Sequence, residues 1–242
     1  LYKIDGLVTI PLGTVLIQET KAPEGYLLDD DTVYLRQVTT EGNVESVETY
    51  NAPIVKEEVV RGGLEVEKRD SQTGSAPQGD ADFAGIEFEV VNDSEGSVRV
   101  GGRDVAPGEV ALALTTGADG KARTASDALP YGDYLVRESA TNGSYLNTSV
   151  PQTAQIRQDG AIVRLAGSSS FTDDVVRGGV EVEKRDAETG RLEPLGAGSL
   201  DVLFEITNAG NRPVVVGGVS YAPGKAVMTI QERGGVAKTA SD

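Results

Sequence analysis

The stretch VVRGGLEVEKRD at residues 59–70 returns almost unchanged as VVRGGVEVEKRD at residues 175–186. Lys68 and Lys184 hold the same place in the two copies, so the repeat period is 184 − 68 = 116 residues. Solenoid units usually span roughly 20–50 residues, whereas a period of this length is that of a whole domain. The sequence therefore predicts a tandem array of domains.

Further matches set the limits of each copy. Phe88 pairs with Phe204, Ala106-Pro107-Gly108 pairs with Ala222-Pro223-Gly224, and Gly25-Tyr26-Leu27 pairs with Ser144-Tyr145-Leu146. These matches predict three segments. Residues 1–55 are the C-terminal half of a first repeat, 56–176 a complete repeat, and 177–242 the N-terminal half of a third.

Composition excludes several classes of function. The chain carries 38 Asp plus Glu against 22 Lys plus Arg, a net charge of −16, so nucleic acid and anionic lipid are poor partners. It has no Cys and no His, which removes thiolate metal sites and the usual acid–base and thiol catalysts. The sequence contains no apolar run of about 20 residues, so we do not expect this segment to insert into a membrane. We expect the protein to hold no cofactor and no metal ion, and not to be an enzyme that turns over a substrate repeatedly.

Apolar residues alternate with polar ones, which is typical of half-buried β-strands. The predicted inward rows are Leu64-Val66-Lys68, Ile86-Phe88-Val90, Tyr134-Val136-Glu138 and Phe171-Asp173, and Val110 to Leu114 is predicted to form a hairpin with Lys121 to Thr124. Seven or so short strands in about 115 residues, separated by Gly, Pro and Asp turns, predict an all-β fold of tandem antiparallel β-sandwiches of the prealbumin or immunoglobulin type.

Three of these inward rows end in an ionisable residue: Lys68, Glu138 and Asp173. The half-copies repeat the pattern, with Lys184 after Val180 and Val182, Glu19 after Val15 and Ile17, and Asn51 after Val47 and Thr49. Each residue alone could mark a strand end that leaves the core. A buried unpaired charge costs several kcal/mol, so three such residues in register predict a buried cluster that neutralises itself.

At these residues the chain resembles the CnaB or SpaA type of prealbumin-like domain found in Gram-positive adhesins and pilins. The resemblance lies in three motifs and covers essentially the whole chain: EVEKRDSQTG at 65–74 with EVEKRDAETG at 181–190, the G-x-Y-x-x-x-E pattern from Gly132 to Glu138, and TKAPEGY at 20–26. A closing strand that ends in Asn, as at Asn51, is similar to the family's last strand.

The resemblance implies an intramolecular isopeptide bond between the Lys of the first strand and the Asn of the last, assisted by an acid of a late strand. Carried over, it makes Lys68 the nucleophile and Glu138 the proton shuttle, with Lys184, Glu19 and Asn51 as the equivalents in the half-copies. Asp173 stands where the family has Asn, and a protonated carboxyl can be attacked with loss of water. Neighbouring Asp174 is the alternative acceptor, although its parity places it on the outer face.

Together these features favour a structural stalk or pilin-like segment on the Gram-positive cell surface, outside the cell, whose partners are the neighbouring repeats. The alternative is an adhesin that binds host matrix protein or glycan through the loops where the copies differ most, residues 80–85 and 91–98. A third interpretation takes Glu138 and Asp173 as a glycosidase-like carboxylate pair, but two inward rows of a small core leave no cleft for a sugar.

Overall fold

The computed structural model describes residues 3–28, 33–39, 56–192 and 202–240. Within these ranges the regular structure is β-strand, apart from one 3-10 turn at Gly167–Ser169. The strands of the first segment are β1 (Lys3–Ile4), β2 (Leu7–Val8), β3 (Gly13–Gln18) and β4 (Val33–Val38). Those of the middle repeat are β5 (Arg61–Asp70), β6 (Glu87–Asn92), β7 (Val98–Val100), β8 (Arg103–Val105), β9 (Val110–Thr115), β10 (Lys121–Arg123), β11 (Leu129–Pro130), β12 (Gly132–Ala140), β13 (Gln152–Ile156), β14 (Ile162–Leu165) and β15 (Phe171–Asp173). Those of the third segment are β16 (Glu181–Glu183), β17 (Leu203–Thr207), β18 (Val214–Val216), β19 (Val219–Tyr221), β20 (Ala226–Gln231) and β21 (Val236–Lys238).

The middle repeat is a sandwich of two sheets. One sheet is antiparallel throughout, in the order β13-β12-β6-β9. The other is built on β5, which pairs antiparallel with β10 and β11 and parallel with β14 and β15. The first and last strands of the repeat are therefore direct neighbours, with Phe171 opposite Lys68 and Asp173 opposite Asp70.

The core between the two sheets is closed by the inward rows that the alternation predicts. Leu64, Val66, Ile86, Phe88, Val90, Tyr134 and Val136 are all fully buried. Phe88 and Phe171 pack across the sandwich with ring centroids 4.7 Å apart. The period-2 prediction of which residues face inward is confirmed for β5, β6, β12 and β15.

Two predictions about pairing need correction. The chain does turn at Gly120, whose φ is +74°, but β9 and β10 do not form the predicted hairpin. β9 pairs with β6, whereas β10 crosses to the other sheet and pairs with β5. The backbone carbonyl of Gly120 accepts a hydrogen bond from the Lys68 amide, which directs the returning chain onto β5. The all-β sandwich is confirmed, and its second sheet is mixed because β14 and β15 run parallel to β5.

The first and third segments form two-stranded pairs in the described residues: β1 with β2, β3 with β4, β16 with β21, β17 with β20 and β18 with β19. Their predicted inward rows are not buried as in the middle repeat. Ile17 is 42% exposed and Val180 is 48% exposed. No helix in the described part of the chain is long and apolar enough to cross a lipid bilayer.

Candidate functional site

Lys68 lies in the apolar interior of the middle repeat. It follows Leu64 and Val66 on the inward face of β5, and the whole residue is 1% exposed. The Phe171 backbone is opposite it on β15, and the Tyr145 ring centroid lies 5.9 Å from Nζ. Strand alternation thus directs a long cationic side chain into the core, where its charge needs a partner.

Two carboxyl groups meet this amine from opposite sheets. Nζ of Lys68 lies 2.6 Å from Oδ2 of Asp173 and 3.1 Å from Oε2 of Glu138, and all three side chains are 0% exposed. Asp173 comes from β15, the parallel neighbour of β5, and Glu138 from the inward face of β12. The structure brings together the three residues that the sequence singles out in this repeat.

The amine and the aspartate are held in contact without being well solvated. Within the described residues, neither Lys68 Nζ nor Asp173 Oδ2 makes a hydrogen bond of acceptable geometry, so their contact is ionic. The other oxygen of Asp173, Oδ1, accepts hydrogen bonds from the amide and hydroxyl of Thr148 at 3.0 and 3.3 Å. These bonds fix the carboxyl group with Oδ2 toward the amine.

Glu138 is the acid of the cluster whose pKa lies close to neutral pH, so its carboxyl is about half protonated there. Burial raises the pKa of its carboxyl to about 7; the Lys68 charge opposes this rise, and the charge of Asp173 adds to it. The hydroxyl of Ser149 donates to Glu138 Oε2 at 3.2 Å. A carboxyl with such a pKa can both accept and donate a proton near pH 7.

A second buried acid, Asp70, was not singled out by the sequence and borders the same site. Its carboxyl is 0% exposed and accepts hydrogen bonds from the amides of Gln72 and Thr73, from Gln78 Nε2 and from the hydroxyl of Tyr145. The Asp-x-x-Thr spacing is a recognisable turn signal, since Asp side chains bond backbone amides two and three residues on. Asp70 thus fixes the turn after β5 and the ring of Tyr145 beside Lys68.

The remaining predicted site residues are not assembled in this way. Lys184 is exposed, Glu19 is half-buried, and Asn51 lies outside the described residues. Asp174 faces outward as predicted and contacts the hydroxyl of Ser71. Of the two candidate acceptors for Lys68, the structure therefore favours Asp173. In the described parts of the chain, no cluster of three or more metal-ligating side chains is present.

Chemically, this arrangement can join the amine to the carboxyl. Three ionisable side chains are walled off from water, and the two that would react are in van der Waals contact. The environment, the Lys–Asp contact and the proton-carrying Glu together define a class of protein: a β-sandwich with a buried amine–carboxyl cluster linking its first and last strands.

Comparison with known protein families identifies the family of the middle repeat. Residues 62–169 match the model of the SpaA prealbumin-like fold domain. The middle repeat is therefore a SpaA-type prealbumin-like domain, and the resemblance seen in its motifs is confirmed. No protein of curated function matches the chain in sequence.

Several solved structures are similar to the chain. The TIE protein of Bacillus anthracis is 23% identical with a TM-score of 0.57, covering 95% of this chain and 34% of its own. A streptococcal ancillary pilin is 18% identical with a TM-score of 0.36, and the match covers 96% of this chain and 63% of the pilin. The minor pilin of Streptococcus agalactiae is 17% identical, TM-score 0.34, covering 71% and 63%. The chain thus spans about a third of the length of the TIE protein, whose similarity supports a shared fold.

Proposed function

We propose that this chain is a structural stalk or pilin-like segment of a Gram-positive cell-surface protein, and that its middle repeat closes an isopeptide bond between Lys68 and Asp173. The observation that carries the proposal is the 2.6 Å contact between Lys68 Nζ and Asp173 Oδ2 inside a core closed to solvent. The SpaA family match and the repeat architecture support the stalk role.

The reaction is a condensation whose atoms balance within the cluster. The neutral amine of Lys68 attacks Cγ of Asp173, a C–N bond forms, one C–O bond breaks, and one water leaves. Transfer of one proton from Lys68 to Asp173 within their contact supplies the amine and a carboxylic acid. Glu138, protonated below its pKa of about 7, gives its proton to the departing hydroxyl, which leaves as water, and takes one from the attacking nitrogen, so it is protonated again at the end. Because the fold holds the reacting groups in contact, no activated ester is needed.

The product removes the charges that the core accommodates least well. An ammonium and a carboxylate become one neutral amide, and Glu138 is left as a protonated acid able to hydrogen-bond with it. The bond closes a loop of 173 − 68 = 105 residues. By analogy with a disulfide over such a loop, the closure contributes about 4–5 kcal/mol.

Mechanical strength is the functional consequence. β5 and β15 are neighbouring strands, and a covalent bond between them prevents tension on the chain from separating the first strand of the repeat from the last. Backbone hydrogen bonds alone would give way as the two parallel strands slide past each other. A crosslinked repeat transmits force through the bond and leaves its core folded.

The test is intact-mass measurement of the purified chain. The measured mass of the parent chain should be lower than its sequence mass by one water. That of Asp173→Asn should be lower than its own sequence mass by one ammonia, because the same amide forms from either acceptor. Both proteins should therefore have the same final mass. A folded wild-type chain at its full sequence mass would disprove the crosslink while leaving the stalk role standing.

The adhesin alternative gains no support from the loops that would carry it. In residues 80–85, the carbonyl of Ala81 accepts from Arg212 and that of Asp82 from Asn142. In residues 91–98, Asn92 donates to the carbonyls of Gly96 and Val105, both at 3.0 Å. These contacts hold both loops against the protein itself, so binding to host matrix or glycan stays a prediction from the sequence.

A further inference from the structure

We infer that a rigid interface joins the middle repeat to the segment after it. In this interface Gln78 accepts a hydrogen bond from the backbone amide of Val215, and Arg177 donates one to the backbone carbonyl of Val215. The inference deepens the proposed stalk role, because it fixes how successive units are held. It does not depend on the crosslink at Lys68.

Gln78 is oriented by a buried acid. The NH2 group of the Gln78 amide donates to the Asp70 carboxyl, with Nε2 at 3.3 Å from Oδ1 and 3.0 Å from Oδ2. Its carbonyl oxygen is thereby directed away from the middle repeat. There it accepts the amide of Val215 at 2.9 Å, and both residues are less than a tenth exposed.

Arg177 completes the contact from the other side. Its Nη2 donates to the carbonyl of Val215 at 3.0 Å and also contacts Oε1 of Gln72 in the middle repeat. Val215 lies on β18, a strand whose partner in the described residues is β19. The outward amide and carbonyl of an edge strand would otherwise be open to water or to another chain.

Backbone contacts reinforce this joint. The amide of Gly79 donates to the carbonyl of Pro213 at 2.9 Å. Gly79 has a φ of +56°, and a Cβ added there would lie 3.2 Å from a methyl group of Val214. Glycine thus permits both the turn and the close approach of the next segment. Arg212 donates back to the carbonyl of Ala81.

The linker is held in the same way at both junctions of the chain, which is an independent observation. At the second junction, Val176 donates to Ser144 and Leu146 donates to Asp174, both at 2.9 Å. At the first, the matching bonds are Val60 to Gly25 at 2.8 Å and Leu27 to Glu58 at 2.7 Å. The linker arginine also repeats, since Arg61 Nη2 lies 3.5 Å from the carbonyl of Arg99, the counterpart of Val215.

These contacts leave no free hinge at the second junction. Between Asp173 and Arg177 the backbone hydrogen-bonds to the turn at Ser144–Leu146, and the Arg177 side chain contacts Gln72 and β18. The segment after the middle repeat is therefore held at one orientation and does not swing on a flexible tether. Gln78 specifies this junction in particular, because the repeat period places Pro194 at the matching position of the third segment.

The test is an electron-spin distance measurement on the full chain. The protein has no cysteine, so Glu95→Cys in the middle repeat and Lys225→Cys in the third segment give two unique, exposed labelling sites. We expect one narrow distance distribution. Gln78→Met, which keeps the side-chain length and removes the acceptor, should broaden it, whereas Gln158→Met on an exposed loop should not.

A second variant and a second readout guard against misfolding. Arg177→Met leaves the Asp70 hydrogen bonds intact and should also broaden the distribution. Loss of a hydrogen bond near 1 kcal/mol should speed amide exchange at Val215 on the order of 5-fold in Gln78→Met. A broad distribution in the parent chain, or a narrow one in both variants, would overturn the inference.

The result is separable from the crosslink. Intact mass reports the Lys68–Asp173 bond in each of these proteins, and Gln78→Met should still be lighter by one water than its own sequence mass. Lys68→Ala carrying the two labels should lose the bond and keep the narrow distribution. A chain that shows full sequence mass and a narrow distribution would contradict the crosslink alone.

Discussion

Two nearly identical stretches of this chain have different structures. In residues 59–70 the sequence forms β5, ten residues long, with Leu64 and Val66 at 0% exposure and Lys68 at 1%. In residues 175–186 it forms β16, three residues long, with Val180 48% exposed and Lys184 exposed. The one substitution between them, Leu64 against Val180, is conservative and does not explain the difference.

The difference comes from the neighbouring strands. β5 pairs with β10, β11, β14 and β15, whereas β16 pairs with β21 among the described residues. The same local sequence can thus present its lysine to water or to two buried acids, and tertiary partners decide which chemistry is open to it.

The largest effect should follow from removing the buried lysine. Lys68→Ala prevents the bond, so the chain should keep its full sequence mass and lose about 4–5 kcal/mol of unfolding free energy for the loop that is no longer closed. Denaturant unfolding followed by intact mass measures both. Lys184→Ala, in the same local sequence, is the matched control and should change the unfolding free energy by less than about 0.5 kcal/mol. Equal losses in the two variants would break the comparison.

Glu138→Gln should slow the reaction strongly while leaving the fold in place. Glutamine keeps the shape of the side chain and cannot shuttle a proton, so bond formation should slow by about 100-fold or more. The measurement is intact mass against time after refolding from urea. Glu19→Gln, at the equivalent position of the first segment, should leave the rate unchanged. A Glu138→Gln chain that reacts at the parent rate would remove Glu138 from the mechanism.

Bond formation should depend on pH in the direction set by Glu138. Burial raises the pKa of its carboxyl from the ordinary 4.5 to about 7, so the acid is protonated below that pH and loses its proton above it. The proton is needed for the departing oxygen, so the rate should fall roughly tenfold between about pH 7 and pH 8.5. The same pKa shift means that the unreacted fold is stabilised by this group below about pH 4.5 and loses that contribution as the pH rises toward 7. A rate that climbs through this range would contradict the assignment.

The smallest effect should come from the hydroxyl beside the site. Tyr145→Phe keeps the ring near Lys68 but removes one of the donors to buried Asp70, which should cost about 1 kcal/mol of unfolding free energy. Tyr26→Phe, at the matching and 44% exposed position of the first segment, should cost nothing measurable. Thermal or denaturant unfolding of both variants checks the pair, and an equal cost at the two tyrosines would show that Asp70 does not depend on this bond.

The sequence predicts the rows that face the core better than it predicts how strands pair. Alternation along β5, β12 and β15 places Lys68, Glu138 and Asp173 inside, because side-chain direction is a local property with a period of two. Partner choice is not local: β9 and β10 are consecutive and joined by a turn, yet they belong to different sheets.

Two features of the site could not be predicted from the sequence, because they also depend on partners that are distant along the chain. Asp70 follows Lys68 on the same face and reads as one more charged strand end, until Gln78 and Tyr145 arrive from elsewhere in the chain. Its turn spacing signals the bonds to Gln72 and Thr73, but not the burial. In the first and third segments, Glu19 and Lys184 are likewise the right residue types, and burial there depends on strands that the local pattern does not specify.

The parallel pairing of β5 with β15 has a geometric consequence for the molecule as a whole. Two neighbouring strands that run in the same direction bring the chain in at one pole of the repeat and release it at the opposite pole. β5 has ten residues, and at about 3.3 Å per residue it spans about 33 Å. The points at which the chain enters and leaves this repeat are therefore separated by a distance of that order along the strand direction.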